Sequence, residues 1–353
     1  MAQVTRILTI HPEQPEPELI EQAARVLKQG GLVAFPTETV YGIGALATHE
    51  TAIAGIYQAK GRQSDNPLIV HIGHPTELDG LVRGINPLAQ ACIDGFWPGP
   101  LTLVLPKQPQ VSSVICAGLD TVAIRCPMHP IARALIAAAG PIAAPSANLS
   151  GKPSPTTAAH VQQDLWGKVD LIIDGGPATV GLESTVIDPI QGAILRPGSI
   201  THAHLQLAGI AITKNNLLMT PKPSHEQPTS PGQKHKHYAP NAHATLVLGS
   251  AQTSTQFIKR QLMSQADPHQ MAVLTSDNHV VSYTGHTVMS FGQDLTTIAA
   301  NLYSCLRAFD TQAYQHITQI YVQADFDQQA HPLALSIMDR LIRACNYDVI
   351  DTH

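Results

Sequence analysis

Lysine and arginine are scarce in this chain, 21 against 26 acidic residues in 353, so their placement is informative. Lys60-Gly61-Arg62 makes a turn ahead of an apolar run at 67–72. Arg125 follows the run 121–124, and Arg196 ends Ile194-Leu195 before Pro197-Gly198. Small hydroxyl and amide groups hold similar positions: Thr37 and Thr39 after one run, Ser146 and Asn148 after another, Ser184 after Gly181-Leu182-Glu183. Cations fixed in Gly- or Pro-bounded turns, where backbone can approach closely, suit an anionic ligand. Cations and hydroxyls converging on one place would suit a nucleoside triphosphate with a small polar co-substrate. Spacing alone equally allows each of them merely to cap its own loop.

Other chemistry-bearing patterns are weaker. Gly42-Ile43-Gly44-Ala45-Leu46-Ala47 spells a dinucleotide fingerprint, with Asp65 downstream. Residues 37–40 separate it from the preceding strand, so the tight turn that aims a helix N-terminus at pyrophosphate is missing. No Walker A lysine loop, GxSxG elbow or HExxH occurs. His235-Lys236-His237 lacks carboxylate or Cys neighbours and reads as a solvated linker face, so no metal-ligating set is expected.

The elements that must position these residues alternate along the chain. Leu19, Ile20, Ala23, Val26 and Leu27 recur at helical spacing, stopped by Gly30-Gly31. Strands are predicted at 32–36, 67–72, 101–106, 121–127, 141–147, 169–174, 184–188 and 193–195, with helices at 51–60, 86–95, 129–139 and 157–166. Several strands are unbroken apolar runs, as expected where helices cover both faces of a sheet. From 213 to 240 Lys, Pro, Ser, His and Gln dominate, which reads as a linker. Tyr238 beside Lys234, Lys236 and His237 suits a lid over a triphosphate better than a plain tether. A second alternation follows, with strands at 244–248, 271–275, 287–291 and 317–324 and helices at 253–265, 295–313 and 332–345; it implies a small open parallel sheet. The division is therefore 1–212, a linker at 213–240, and 241–353.

Composition removes several classes. Apolar residues make up 44% and charged residues 13%, against ~25% charged in an average domain, which excludes extensive disorder. A net charge of −5 argues against docking on nucleic acid through a bulk field. No apolar run approaches the ~18 residues of a membrane span, and the polar N-terminus shows no signal-peptide pattern. Five widely spaced cysteines without a CxxC pair favour a reducing compartment, hence a cytoplasmic setting away from membranes.

Six motifs taken together carry a resemblance. Phe35-Pro36-Thr37-Glu38-Thr39-Val40-Tyr41-Gly42-Ile43-Gly44, Lys60-Gly61-Arg62, Trp97-Pro98-Gly99-Pro100-Leu101-Thr102, Ala144-Pro145-Ser146-Ala147-Asn148, Glu183-Ser184-Thr185 and Ser230-Pro231-Gly232 to His237-Tyr238-Ala239-Pro240 follow in order. They resemble the YrdC-like family in its long, two-domain form, which makes threonylcarbamoyl-adenylate. The resemblance covers essentially the whole chain. It departs at Gln63, where the family has Pro, and at Gln233 and His235, where it has Met and an aromatic residue.

The resemblance implies a YrdC-like open twisted α/β domain joined by a Pro/Lys-rich linker to a smaller Rossmann-like α/β domain. It implies a nucleotidyltransferase that joins L-threonine, bicarbonate or CO2, and ATP (with Mg2+) into threonylcarbamoyl-AMP, releasing pyrophosphate. A separate transferase complex would then place the threonylcarbamoyl group on tRNA beside the anticodon, so the contact with tRNA is indirect. Carried over residue by residue, Lys60 and Arg62 are the catalytic cations. They contact ATP together with Asn66, Thr121, Ser146, Asn148, Ser154, Arg196 and Tyr238. Thr37, Thr39, His71, Arg125, Ala144 and Ser184 hold L-threonine, with Arg125 on its carboxylate. Two alternatives stand beside this. One is the carbamoyl-transfer module of hydrogenase maturation, whose acylphosphatase domain and zinc-finger cysteines are missing here; the other is an RNA-binding module of the same fold.

Overall fold

A computed structural model describes residues 4–212, 238–264, 267–326 and 331–352. The described residues divide into two compact units, one within 4–150 and 154–212, the other within 238–352 together with 151–153. The expected lid at 213–240 lies outside the described residues except for Tyr238, Ala239 and Pro240.

Among the described residues the first unit is built on ten strands: β1 (Arg6–Thr9), β2 (Val33–Phe35), β3 (Gly42–Leu46), β4 (Ile69–His71), β5 (Leu101–Pro106), β6 (Thr121–Arg125), β7 (Ile142–Ala144), β8 (Leu171–Asp174), β9 (Thr185–Asp188) and β10 (Ala193–Arg196). Its helices are α1 (Pro17–Lys28), α2 (Glu50–Lys60), α3 (Pro87–Phe96), α4 (Ser113–Cys116), α5 (Pro130–Ala139), α6 (Ala158–Leu165) and α7 (His202–Leu207). The strands form one mixed sheet in the order β1-β8-β2-β3-β7-β4-β6-β5-β9-β10.

Local chemistry sets the helix starts. Proline stands in the first turn of α1, α3 and α5, and the side chains of Asn86, His129 and Thr157 cap α3, α5 and α6 by accepting from backbone N–H groups. Helices cover both sheet faces, and alternation along β2 shows it. Val33 and Phe35 pack with Ile20, Ala23 and Leu27 of α1 and Ile131 and Leu135 of α5, whereas Ala34 packs with Ile53 and Ile56 of α2 and Val161 of α6. The burial of these apolar faces is the main favourable contribution to the unit.

The second unit holds β11 (His243–Leu248), β12 (Met271–Thr275), β13 (Thr287–Ser290), β14 (Gln319–Ala324) and β15 (Val349–Asp351), with α8 (Ala251–Ser264), α9 (Leu295–Ala308) and α10 (Pro332–Ala344). Its order is β13-β12-β14-β11-β15, and every pairing is parallel, as the alternation implied. All five cysteines are buried and unpaired. Among the described residues no helix is long and apolar enough to cross a membrane.

Candidate active site

Three clusters of polar side chains gather in the first unit. The first forms where α2 ends. Gly61 takes the left-handed conformation that caps α2 (φ 60°), and this turn sets Lys60 inward, 3% exposed. Its Nζ donates to the carbonyl oxygens of Ser146 (2.5 Å) and Asn148 (2.6 Å) and to Asn148 Oδ1 (3.4 Å). Ser146 Oγ also donates to Asn148 Oδ1 at 2.5 Å. Lys60 thus braces the loop after β7. Arg62 donates through Nη2 to the carbonyls of Asn66 (3.2 Å) and Pro67 (3.0 Å). Asn66 is buried, and its Oδ1 has no hydrogen-bond partner among the described residues.

The second cluster surrounds Arg125, the last residue of β6 and the register partner of His71 on β4. The loop after β2 reaches over to it. Arg125 Nη1 donates to Thr39 Oγ1 (2.7 Å), Nη2 to Glu38 Oε1 (2.5 Å), and Nε to the Gly99 carbonyl (3.2 Å). Thr37 Oγ1 lies 2.8 Å from Thr39 Oγ1 and donates to the Val40 carbonyl. Glu38 and Arg125 are each 3% exposed. His71 is buried as well; burial, and secondarily the Arg125 cation, pushes its pKa down to about 3, so the imidazole is neutral. Its Nδ1 and Glu38 Oε2 have no hydrogen-bond partner among the described residues. Buried polar atoms left open in this way mark where a ligand can bond.

The third cluster joins β5, β9 and β10. Ser184 Oγ lies 2.7 Å from Thr102 Oγ1, and Arg196 donates to the Ser184 carbonyl and Oγ, both at 3.1 Å. Beside it the fully buried Ser154 donates to Glu183 Oε1 at 2.5 Å. The turn after Arg196 presses close: a Cβ on Gly198 would sit 2.4 Å from Thr185 N, so only glycine fits.

Backbone bonds stitch the clusters together. Tyr41 N donates to Pro155 O and Ala147 N to Tyr41 O, both at 2.8 Å, and Gly42 bridges Ser146. Tyr41 OH fixes the same loop by donating to Gly176 O at 2.6 Å, and burial raises its pKa, so it stays protonated. Lys60, Arg62, Asn66, Ser146, Asn148, Ser154, Ser184, Arg196, Thr37, Thr39, His71 and Arg125 therefore lie in or beside these clusters. Ala144, paired with Ile69 on β4, leads into the braced loop. Thr121 opens β6, four residues from Arg125 and roughly 13 Å away along the strand; the parallel β4–β6 register sets it level with Pro67, whose carbonyl Arg62 bonds, beside the first cluster. Tyr238 belongs to the second unit, with its ring 5.1 Å from that of Tyr303. The sequence reading missed Glu38, Thr102 and Glu183, the buried partners of Arg125, Ser184 and Ser154. Glu38 carried a signal: a lone carboxylate between two threonines in an otherwise apolar stretch.

Comparison with known proteins decides what this arrangement belongs to. Residues 25–198 match the family described as "Telomere recombination", and residues 200–346 match "Threonylcarbamoyl-AMP synthase, C-terminal domain". Threonylcarbamoyl-AMP synthase of Bacillus subtilis is 44% identical over 338 residues, 94% of each chain. That of Pyrococcus abyssi is 41% identical over 345 residues, 96% of this chain and 97% of the relative. The chain belongs to the threonylcarbamoyl-AMP synthase family. The P. abyssi Sua5 crystal structure complexed with L-threonine superposes with a TM-score of 0.91 at 40% identity, covering 99% of this chain and all of that one. The motif resemblance to the two-domain branch of this family is borne out, and so is the α/β architecture of both halves.

Proposed function

We propose that this protein is an L-threonylcarbamoyladenylate synthase, joining L-threonine, bicarbonate or CO2, and ATP into threonylcarbamoyl-AMP and pyrophosphate. The observation that carries the reading is the pair of clusters tied by the 36–42 loop. One is built on Lys60, Arg62, Ser146 and Asn148, the other on Arg125, Thr37, Thr39 and His71. The first suits phosphates and the second an amino acid. Carbamate oxygen attacks the α-phosphate, so no protein nucleophile is required, and rate comes from positioning and charge balance. Lys60 keeps the 146–148 loop in place, Arg62 and Arg196 face the triphosphate, and Ser184 with His71 orients threonine. Thr121 contributes to the nucleotide's surroundings in this reading.

Magnesium fits as a companion of ATP. Among the described residues no three His, Cys, Asp or Glu side chains group to hold a metal, and Mg2+ commonly binds through substrate phosphates and water. Bound there, it would neutralise charge on the departing pyrophosphate. The product would pass to a separate transferase that modifies tRNA, in the cytoplasm. Pyrophosphate release tests the reading: it should require ATP, threonine and bicarbonate together. Equal release without an amino acid would overturn it.

A further inference from the structure

The Arg125–Glu38 pair does more than the carboxylate-binding role given to Arg125 alone. Both side chains are nearly fully buried, and they meet at 2.5 Å. A buried ion pair is weak evidence for stability, since desolvation offsets most of the attraction. Here the pair is also incomplete. Glu38 Oε1 is taken by Arg125, while Oε2 is shut from solvent with no partner among the described residues. An unmet carboxylate oxygen in such a place is costly and calls for a donor. Among the described residues, Cys126 and His129 are close enough to feel Glu38, and His71 faces Arg125. Burial keeps all three neutral: Cys126 is pushed up to about 11, His129 downward, and His71 down to about 3. The donor that Oε2 lacks is therefore not supplied by a neighbouring cation in this cluster.

We propose that the Arg125–Glu38 pair is a receptor for the zwitterion of the amino-acid substrate, Arg125 taking its carboxylate and Glu38 Oε2 taking first its ammonium group and then one ammonium proton. This deepens the reading given under Proposed function and rests on it. Charge matching supports it. The pair is neutral overall and so is an amino-acid zwitterion, so insertion of one into the other leaves no uncompensated buried charge. The need for proton removal follows from the chemistry. An ammonium nitrogen has no lone pair, and carbamate formation requires one. In the step assigned to Glu38 an N–H bond breaks and an O–H bond forms, converting ammonium and carboxylate into amine and carboxylic acid with no change in net charge. The amine lone pair then forms the N–C bond to CO2 as one C=O electron pair moves to oxygen. The extra proton on that nitrogen leaves to water, and Glu38 returns its own to solvent when product departs.

The test is calorimetric binding of L-threonine and of 3-hydroxybutanoate, which lacks the amine, to the full-length protein and to Glu38→Gln. The wild type should prefer threonine by about tenfold or more, and the preference should collapse toward one in Glu38→Gln. A preference kept in that variant overturns the proposal. A wild type that binds no threonine overturns the synthase reading instead. Glu38→Asp keeps a carboxylate near Arg125 and guards against misfolding of the Gln variant. Its threonine-dependent turnover should fall at neutral pH and recover toward alkaline pH, where the free amine forms unaided. A loss uniform across pH would reduce Glu38 to a structural partner of Arg125 and overturn the proposal.

Discussion

Replacing Lys60 by Met isolates what its ammonium does. The apolar chain keeps much of its packing, while the carbonyls of Ser146 and Asn148 lose donors now at 2.5 and 2.6 Å. Each stranded acceptor costs about 1–3 kcal/mol. Relief from burying the ammonium offsets part of that, so the loop should lose about 2–4 kcal/mol of stability. The effect is local, because the bonds tie the end of α2 to residues 146–148. A chain with two compact units does not unfold as one step, so hydrogen exchange is the suitable assay. The amides of Ala147, which donates to Tyr41 O, and Ser150, which donates to Lys60 O, should lose protection while those of β8 keep theirs. Turnover should fall by about a hundredfold, the usual consequence of a loop misplaced by ~1 Å. Lys60→Arg should not restore it, since a planar fork cannot occupy a site shaped for a point charge. Unchanged protection at Ala147 together with turnover near the wild-type value would refute the reasoning.

Other consequences follow from the same geometry. Arg125→Met leaves the buried Glu38 carboxylate without its cation and should cost about 3–5 kcal/mol in urea unfolding of the first unit, most of it recovered when Glu38→Leu is added. His71, depressed to about 3 in the fold against ~6.5 when unfolded, refuses a proton that the unfolded chain accepts. Stability should therefore fall as pH drops from about 6.5 toward 3, by about 2 kcal/mol at pH 5, and His71→Asn should remove that dependence. Thr102→Val removes the 2.7 Å contact to Ser184 while Arg196 still holds the serine; the threonine KM should rise several-fold, for about 1 kcal/mol. Serine should be a poorer substrate than threonine by ~1–3 kcal/mol in kcat/KM, for want of one methyl contact.

Much of this was legible in the sequence where periodicity and punctuation agree. The runs 101–106 and 271–275 are β5 and β12 to the residue, and the predicted helix at 51–60 is α2 within one residue. The elements that escaped notice lacked a local signal. Arg6–Thr9 is a largely exposed edge strand, and Val349–Asp351 is three residues long at the other sheet's edge. Gly42–Leu46 looked like part of a nucleotide fingerprint because glycines disfavour strands. Its reason is tertiary: a Cβ on Gly44 would lie 2.6 Å from Ile142 Cγ2, so β3 pairs with β7 only if that position is bare. The same holds in the site. Cations and hydroxyls at run ends pointed to Lys60, Arg125, Ser146 and Ser184. Glu38 meets Arg125 across 87 positions and Thr102 meets Ser184 across 82, distances over which spacing carries no information.

The product identifies the reaction. Full-length protein should be incubated with ATP, L-threonine and bicarbonate carrying heavy carbon, and the nucleotide products read by mass spectrometry. Threonylcarbamoyl-AMP bearing one labelled carbon should form in step with pyrophosphate and be absent when threonine or bicarbonate is left out. AMP and pyrophosphate formed without threonine, or an adenylate that carries no label, would contradict the synthase reading.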